Sequence, residues 1–393
     1  MKYNTLNNSI VRYGMVGCGM MGQEHLRNIA LLPNTVVTAI YEPDAAMRAL
    51  AQTFAPQAVF VDSLDTLLAR TDLDALVITS PNHCHAEQVQ AITRQTQLPI
   101  LLEKPACTTL ADVATLRTIA ASYPAPIWTA MEYRYMPPIA ALIEHTHAKS
   151  LTGEAVMFAI REHRYPFLNK VGDWNRFNAN TGGTLVEKCC HFFDLMCHVL
   201  QDTPIRVYAS GGQNHNHLGE SYDGATPDIL DNAYVVLDFP RGRRAMLDLC
   251  MFAEGARYQE ELCVVGAKGK LDCKVPGPGR FWPTELGDAP VAQLTINQRH
   301  QVGAQGWTNK PQITAVPPRS LDIPVDPALL AAGDHNGSTF YQHQGFAQAV
   351  RGLGKVEVSL NDGLRAVVIG LAAQESARTG QAVDLRAGAY ALS

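Results

Sequence analysis

Between residues 10 and 130 the chain alternates short apolar runs with stretches of helical periodicity, and this alternation constrains the fold more than any other feature. Apolar runs at 11–16, 36–41, 58–61, 75–79, 99–102 and 127–131 are separated by helix-patterned segments at 22–32, 44–53, 63–69, 86–96 and 110–121. Parallel strands need a long crossover between them, and a helix of this size is the usual one. The pattern therefore predicts βαβ units and a parallel sheet with helices on both faces.

The first unit carries three glycines, Gly17-Cys18-Gly19-Met20-Met21-Gly22, directly after its strand and at the start of its helix. The first glycine permits the tight turn. The second lets backbone approach a pyrophosphate, and the third lets helix and strand pack closely. The helix N-terminus offers free N–H groups and the positive end of its dipole to phosphates. An acid that holds ribose hydroxyls should follow about 20 residues on. Glu42 falls there, at the end of the second apolar run. Its charge would repel a 2′-phosphate, so NAD is expected over NADP, with Arg48 as a distant reservation.

The pattern changes after about residue 150. Residues 156–163 read as a strand and 184–200 as one helix. Extended runs follow at 206–210, 233–238, 245–252, 260–265, 271–274 and 293–297. Their short, turn-rich connections suit an antiparallel sheet. Residues 276–333, rich in Pro and Gly, are expected to be mainly loops, and 340–351 and 362–379 to be closing helices. The fold class is then an α/β dinucleotide-binding domain over 1–135, followed by an α+β domain over 136–393.

Composition narrows the function. The chain has 393 residues and a formal net charge of −5, with 47% hydrophobic and 18% charged residues. That is ordinary for a globular protein with a real core. It argues against a nucleic-acid binder, which usually carries a basic patch. No run of 18 apolar residues suggests a membrane span. No apolar stretch precedes the first motif, so no signal peptide is expected. Nine cysteines without a CxxC pair read as reduced thiols in a cytoplasm.

Further along, the chain reads Thr79-Ser80-Pro81-Asn82-His83-Cys84-His85, and then Glu103-Lys104-Pro105. Together with the glycine turn, these segments resemble the Gfo/Idh/MocA oxidoreductases, whose pattern is GxGxxG, a TPNxxH-like turn and EKP. Tyr133-Arg134-Tyr135 with Pro137 resembles the family's YRxxP linker. Trp174 and Arg176, ahead of Gly182-Gly183, resemble the segment before its central motif, and residues 335–385 its closing helices. The resemblance implies a Rossmann domain followed by a large open sheet whose exposed face often pairs subunits, so a homo-oligomer, dimer or tetramer, is expected. It also implies that the nicotinamide lies between the domains. Cofactor contacts are expected from Gly17, Gly19, Met20, Met21, Gly22, Glu42, Ser80, Pro81, Asn82, His85, Glu103 and Lys104. Substrate contacts are expected from Arg134, Trp174, Arg176, His335 and Tyr341.

Oxidising a secondary alcohol requires a hydride acceptor, a base for the hydroxyl proton and a group that stabilises the developing alkoxide. The cofactor carries the first of these. Lys104, ending a parallel strand, can supply the third, and burial beside a positively charged ring would lower its pKa. His191 is the candidate acid/base, since an imidazole suits proton exchange near neutrality. Residues 182–191 resemble the family's GGGxxxDxGxH motif, with Glu187 in place of aspartate and Cys189 in place of glycine. Glu187 and His191, four apart on an expected helix, would share a face. Glu187 would either fix the imidazole tautomer or touch substrate directly. Asp194 reads as a helix-surface or packing acid. His335, Tyr341 and His343 could hold a polyol's hydroxyls, or could belong to a helix start capped by Ser338 or Thr339. Thirteen histidines raise the question of a metal, but no HExxH occurs and none is expected. Cys189 and Cys190 read as packed thiols.

The leading expectation is an NAD-dependent dehydrogenase acting on a sugar, cyclic polyol or glycoside. Two alternatives stand beside it: a glycosidase that oxidises and re-reduces its substrate with no net use of cofactor, and a regulator that senses sugar or cofactor.

Overall fold

The computed structural model describes residues 9–392. Its first half runs β1 (Val11–Val16), α1 (Met20–Ala30), β2 (Thr35–Tyr41), α2 (Ala45–Phe54), β3 (Val59–Val61), α3 (Leu64–Leu68), β4 (Ala75–Ile78), α4 (His85–Gln95), β5 (Ile100–Leu102), α5 (Leu110–Ser122) and β6 (Ile127–Thr129). The six strands pair in parallel in the order β3-β2-β1-β4-β5-β6. Every residue of β4 (ALVI) and β5 (ILL) is buried, as expected of strands covered on both faces. The order reverses between β1 and β4, so a crevice opens beyond the carboxyl ends of those strands, where ligands of such sheets bind.

Helix α6 (Pro137–Thr146) follows, with proline at its first position, where the missing N–H costs nothing. This helix adds to the elements expected from the sequence.

The second half runs β7 (Ala155–His163), α7 (Asn178–Thr181), α8 (Thr184–Glu187), α9 (Cys190–Leu200), β8 (Arg206–Gly212), β9 (Asn232–Asp238), β10 (Arg244–Cys250), β11 (Glu260–Gly266) and β12 (Gly269–Val275). It continues through β13 (Gln293–Gln298), β14 (Gln301–Val302), β15 (Ile313–Thr314), β16 (Arg319–Asp322), α10 (Pro327–Ala332), α11 (Ser338–Val350), α12 (Leu360–Thr379) and β17 (Val383–Asp384). Nine of these strands form one sheet in the order β16-β13-β12-β11-β7-β10-β9-β8-β17. β7 and β10 pair in parallel, and the other pairs are antiparallel. Helices α6, α9 and α12 pack on one face of this sheet. The other face is open and exposes Met157, Tyr208, Tyr234, Val236 and Met246.

Two expectations change. The helix expected over 184–200 breaks at Lys188 and Cys189 into α8 and α9. At the break Lys188 turns inward, and its Nζ lies 2.8 Å from a carboxylate oxygen of Glu162. Residues 276–333 are more than loops and the one strand expected at 293–297. They also hold the β14–β15 hairpin, α10 and the edge strand β16, whose short and largely exposed sequence RSLD carries little apolar signal.

Candidate functional site

The crevice at the strand ends is a cleft of about 570 Å³. Gly17, Gly19, Met20 and Met21 line its floor, together with Glu42, Ser80, Pro81, Asn82, Glu103 and Lys104. Gly17 has φ +85, and a side chain there would lie 2.8 Å from the backbone of Ser80, so this turn requires glycine. A Cβ on Gly19 would meet nothing within 4 Å, which leaves the backbone open to a ligand. No side chain caps α1, and its first turn holds no acid. These features fit a pyrophosphate seated on the helix N-terminus. Gly22 stands behind the floor, where a Cβ would lie 2.8 Å from the Thr79 hydroxyl.

Glu42 is buried at the end of β2. Its Oε2 accepts the Cys18 N–H at 2.5 Å and its Oε1 the Asp44 N–H at 2.8 Å. Arg48 is turned away from it, donating to Asp62 and to the Phe60 carbonyl. His85 is outside the cleft lining. Its Nδ1 lies 2.8 Å from the Pro105 carbonyl and its Nε2 3.0 Å from that of Ser80, so it ties two lining turns together. This corrects its expected role as a direct cofactor contact.

Glu103 accepts the Lys104 backbone N–H and lies 2.8 Å from His25 Nε2. The other ring nitrogen of His25 lies 2.7 Å from His343 Nε2, which fastens β5 to α1 and α11. Lys104 reaches across the cleft, and its Nζ donates to the Glu187 carbonyl at 3.4 Å. Burial alone would lower its pKa, but Cys190, Glu103, Glu132 and Glu187 outweigh burial and raise it. Without a bound ring, the thiol and carboxylates around this ammonium set the direction of its shift.

A segment of the second half roofs the cleft through Asn169, Lys170, Val171 and Trp174. Lys170 Nζ lies 3.1 Å from Glu187 Oε1 and 4.5 Å from the centre of the Trp174 ring. Glu187 is therefore paired with the roof, and of the two roles expected for it, the hydrogen bond that would fix the His191 tautomer is not made. The carboxylate beside His191 is Glu132, whose Oε1 lies 3.5 Å from His191 Nε2. Both residues are buried, and the imidazole stacks on Tyr133 at 4.3 Å. Burial, then Lys104, Lys188, His335 and Arg164, hold the His191 pKa well below its usual value. The imidazole is therefore neutral at pH 7.

Other expected contacts lie elsewhere. Arg134 makes a two-pronged pair with Asp194, at 2.5 and 2.6 Å, and donates to the Glu357 carbonyl. Its guanidinium is committed to this hinge and not to substrate, and Asp194 is buried with it and not on the helix surface. Arg176 is buried against Glu220 and Asn169, behind the roof. Trp174 lies over the cofactor cleft and not in a separate substrate pocket. Tyr341 is 37% exposed, with its ring against Phe340. His335 does reach the site: it lies 2.8 Å from Glu24 of α1, and its charge acts on both His191 and Glu132. Ser338 and Thr339 do not cap α11, whose N-cap is Gly337.

Sequence reasoning missed Glu132 and Lys170. Glu132 adjoins the Tyr133-Arg134 motif, so a carboxylate inside that linker was the available signal. Lys170 sits in a stretch without periodicity and gave none. Among the described residues no three His, Cys, Asp or Glu side chains converge as a metal site would require, and all nine cysteines are free.

The fold and cleft together define a class: a dinucleotide-binding parallel sheet whose ligand is roofed by a second, open-sheet domain. Comparison with known families gives the particular one. The family description "Oxidoreductase family, NAD-binding Rossmann fold" matches residues 11–130, and "Oxidoreductase family, C-terminal alpha/beta domain" matches 151–385. The chain belongs to the Gfo/Idh/MocA oxidoreductase family. It is 23% identical to the 2,7-anhydro-N-acetylneuraminate hydratase of Escherichia coli (strain K12) over 271 residues, 67% of each chain. It is 24% identical to an inositol 2-dehydrogenase of Rhizobium meliloti (strain 1021) over 263 residues, 66% of this chain and 74% of the relative. A levoglucosan dehydrogenase solved with NADH and levoglucosan superposes with a TM-score of 0.73 at 17% identity, covering 96% of this chain and all 100% of the other.

Proposed function

We propose that the chain is an NAD-dependent dehydrogenase that oxidises a secondary hydroxyl of a sugar, cyclic polyol or glycoside. The observation that carries this reading is the convergence of Lys104, Glu132 and His191 beside a cleft built for a dinucleotide. NAD, when bound, supplies the hydride acceptor. Lys104, an ammonium, stabilises negative charge on the reacting oxygen. His191, neutral at pH 7, receives the hydroxyl proton.

Glu42 supports NAD over NADP, because its carboxylate stands where a 2′-phosphate would lie and Arg48 faces Asp62 instead. The open sheet face supports a homo-oligomer, a dimer or tetramer. The nine free thiols fit a cytoplasmic setting. No described helix is long and apolar enough to cross a membrane.

A second reading has one observation behind it. The Escherichia coli relative is named a hydratase, a net reaction that leaves a nicotinamide cofactor unchanged. The glycosidase-like redox cycle is therefore kept as the alternative. A regulator would have no need of Lys104 and His191, and nothing favours that reading.

The test is absorbance at 340 nm with NAD or NADP across inositols, aldoses, sugar acids and glycosides. One of these should give NADH, and His191→Ala should lower its rate at least about 100-fold. Cleavage or hydration of a substrate with no net NADH would replace the dehydrogenase by the redox cycle.

A further inference from the structure

We propose that Lys170 holds the roof down on the dinucleotide through its ion pair with Glu187, so that the cofactor enters and leaves only when that pair opens. The inference rests on a nicotinamide dinucleotide occupying the cleft, and not on which reaction follows. Three observations lead to it. First, roof and floor come from different halves of the chain. Gly17, Glu42, Ser80 and Lys104 belong to the parallel sheet and its turns, and Asn169, Lys170, Val171 and Trp174 close the cleft from the other side. The Trp174 ring reaches the floor, meeting His83 edge-on at 6.0 Å beside Pro81 and Asn82. A dinucleotide in the cleft lies under residues 169–174, and its exchange requires them to move.

Second, the roof is built as one piece on a flexible connection. Asn175 Nδ2 donates to the Leu168 carbonyl, Asn180 Nδ2 to the Trp174 carbonyl and Arg176 Nη2 to Asn169 Oδ1, each at 3.0 Å. The chain turns over at Gly172 and Asp173, with φ 65 and 50. A connection of this kind can swing about its ends, and such swings often set the rate at which a ligand is released.

Third, one ion pair fastens this piece. Among the described residues, the ion pair made by 169–174 is that of Lys170 with Glu187, Nζ to Oε1 at 3.1 Å. Glu187 is in turn tied to the floor, because its carbonyl accepts from Lys104 Nζ at 3.4 Å. Lys170 also sits 4.5 Å from the centre of the Trp174 ring, so one ammonium grips both the wall and the indole. The two charged side chains are only 18% and 3% exposed. Salt screens a pair so sheltered very little, and loss of either partner leaves the other buried without its counter-charge.

Cofactor fluorescence in a stopped-flow instrument tests this without any substrate. NADH bound to the protein is chased with excess NAD, and its release rate is read. Lys170→Met should release NADH at least about tenfold faster than wild type, and so should Glu187→Gln. The double variant should be no faster than either single one, because both remove the same tie. A roof that hinders exit also hinders entry, so association should quicken by at least about threefold and Kd should rise less than the release rate does. Misfolding would slow association instead. The exchanged pair, Lys170→Glu with Glu187→Lys, should recover part of the slow release. An unchanged release rate in Lys170→Met would overturn the proposal, and so would single effects that multiply in the double variant. Faster release without faster association would overturn it too, since that marks a lost cofactor contact and not an opened roof. A wild type that oxidises no alcohol, while its NADH release still depends on Lys170, would overturn the dehydrogenase reading and leave the roof tie standing.

Discussion

On the reading proposed above, the choice between NAD and NADP falls to Glu42. Glu42 has both oxygens engaged by backbone N–H groups of the two turns that border the cleft, so its position is fixed before any ligand arrives. Replacing it with serine removes the charge that opposes a 2′-phosphate. Glu42→Ser should shift the NADP-to-NAD ratio of kcat/KM by about tenfold towards NADP, equivalent to about 1.4 kcal/mol, read from initial rates with each cofactor. Residues of this kind were legible in the sequence, because the glycine turn and its acid are chemically obligatory and lie at fixed spacing. Glu132 was not. Its place beside His191 joins it to a residue on a distant helix, and neighbouring letters do not encode that contact. Arg134 and Arg176 were expected at substrate from the resemblance alone, and that expectation does not show that Asp194 and Glu220 pair with them.

At the scale of elements, the helix that begins at the glycine turn is clamped from the second half of the chain. Glu24, on α1, accepts from the Asp334 N–H, His335 Nδ1 and the Thr339 hydroxyl. Arg27 donates from the same helix to the Ala332 carbonyl. Burial opposes ionisation of Glu24, but His335 and these hydrogen bonds win and pull its carboxyl down to about 2. Burial likewise opposes charge on His335, and Glu24 overcomes it, raising the imidazole to about 9. A lowered acid stabilises the fold above its unfolded value of 4.5, and that contribution is lost as pH falls through 2. A raised imidazole stabilises below 6.5, and that contribution is lost as pH rises through 9. The clamp is therefore strongest between 4.5 and 6.5. Glu24→Gln should cost about 3 kcal/mol there in denaturant unfolding, with the gap to wild type closing as pH rises towards 9. Elements themselves were legible where their periodicity was long, as in the βαβ series. The 184–200 pattern is apolar enough for one helix, yet the buried ion pair of Lys188 with Glu162 accompanies a break that periodicity does not signal. α6 was missed despite its proline start. β16 and β17 were missed because edge strands this short owe their existence to the sheet beside them.

At the scale of the whole molecule, the nine-stranded sheet has helices on one side only. Tyr208, Val236 and Met246 stand in register across β8, β9 and β10 and are 45%, 40% and 39% exposed. Larger exposed apolar patches often mark protein interfaces, and this row lies towards the β17 edge of the face. If that face joins copies of the chain, Val236→Glu with Met246→Glu should reduce the mass measured by light scattering to that of one subunit, 42.8 kDa. The antiparallel pairing of this sheet was readable from short turns. Its width, and the one parallel pair of β7 with β10, were not, because strand order is set by crossovers and not by local pattern.

The roof over the cleft has an evolutionary consequence. Its residues, Asn169, Lys170, Val171 and Trp174, belong to a connection between a strand and a short helix and carry none of the sheet's hydrogen-bond ladder. They can be exchanged without disturbing the floor that holds the dinucleotide. Mutation in this one connection can thus alter what the cleft admits while the sheet beneath it is inherited unchanged.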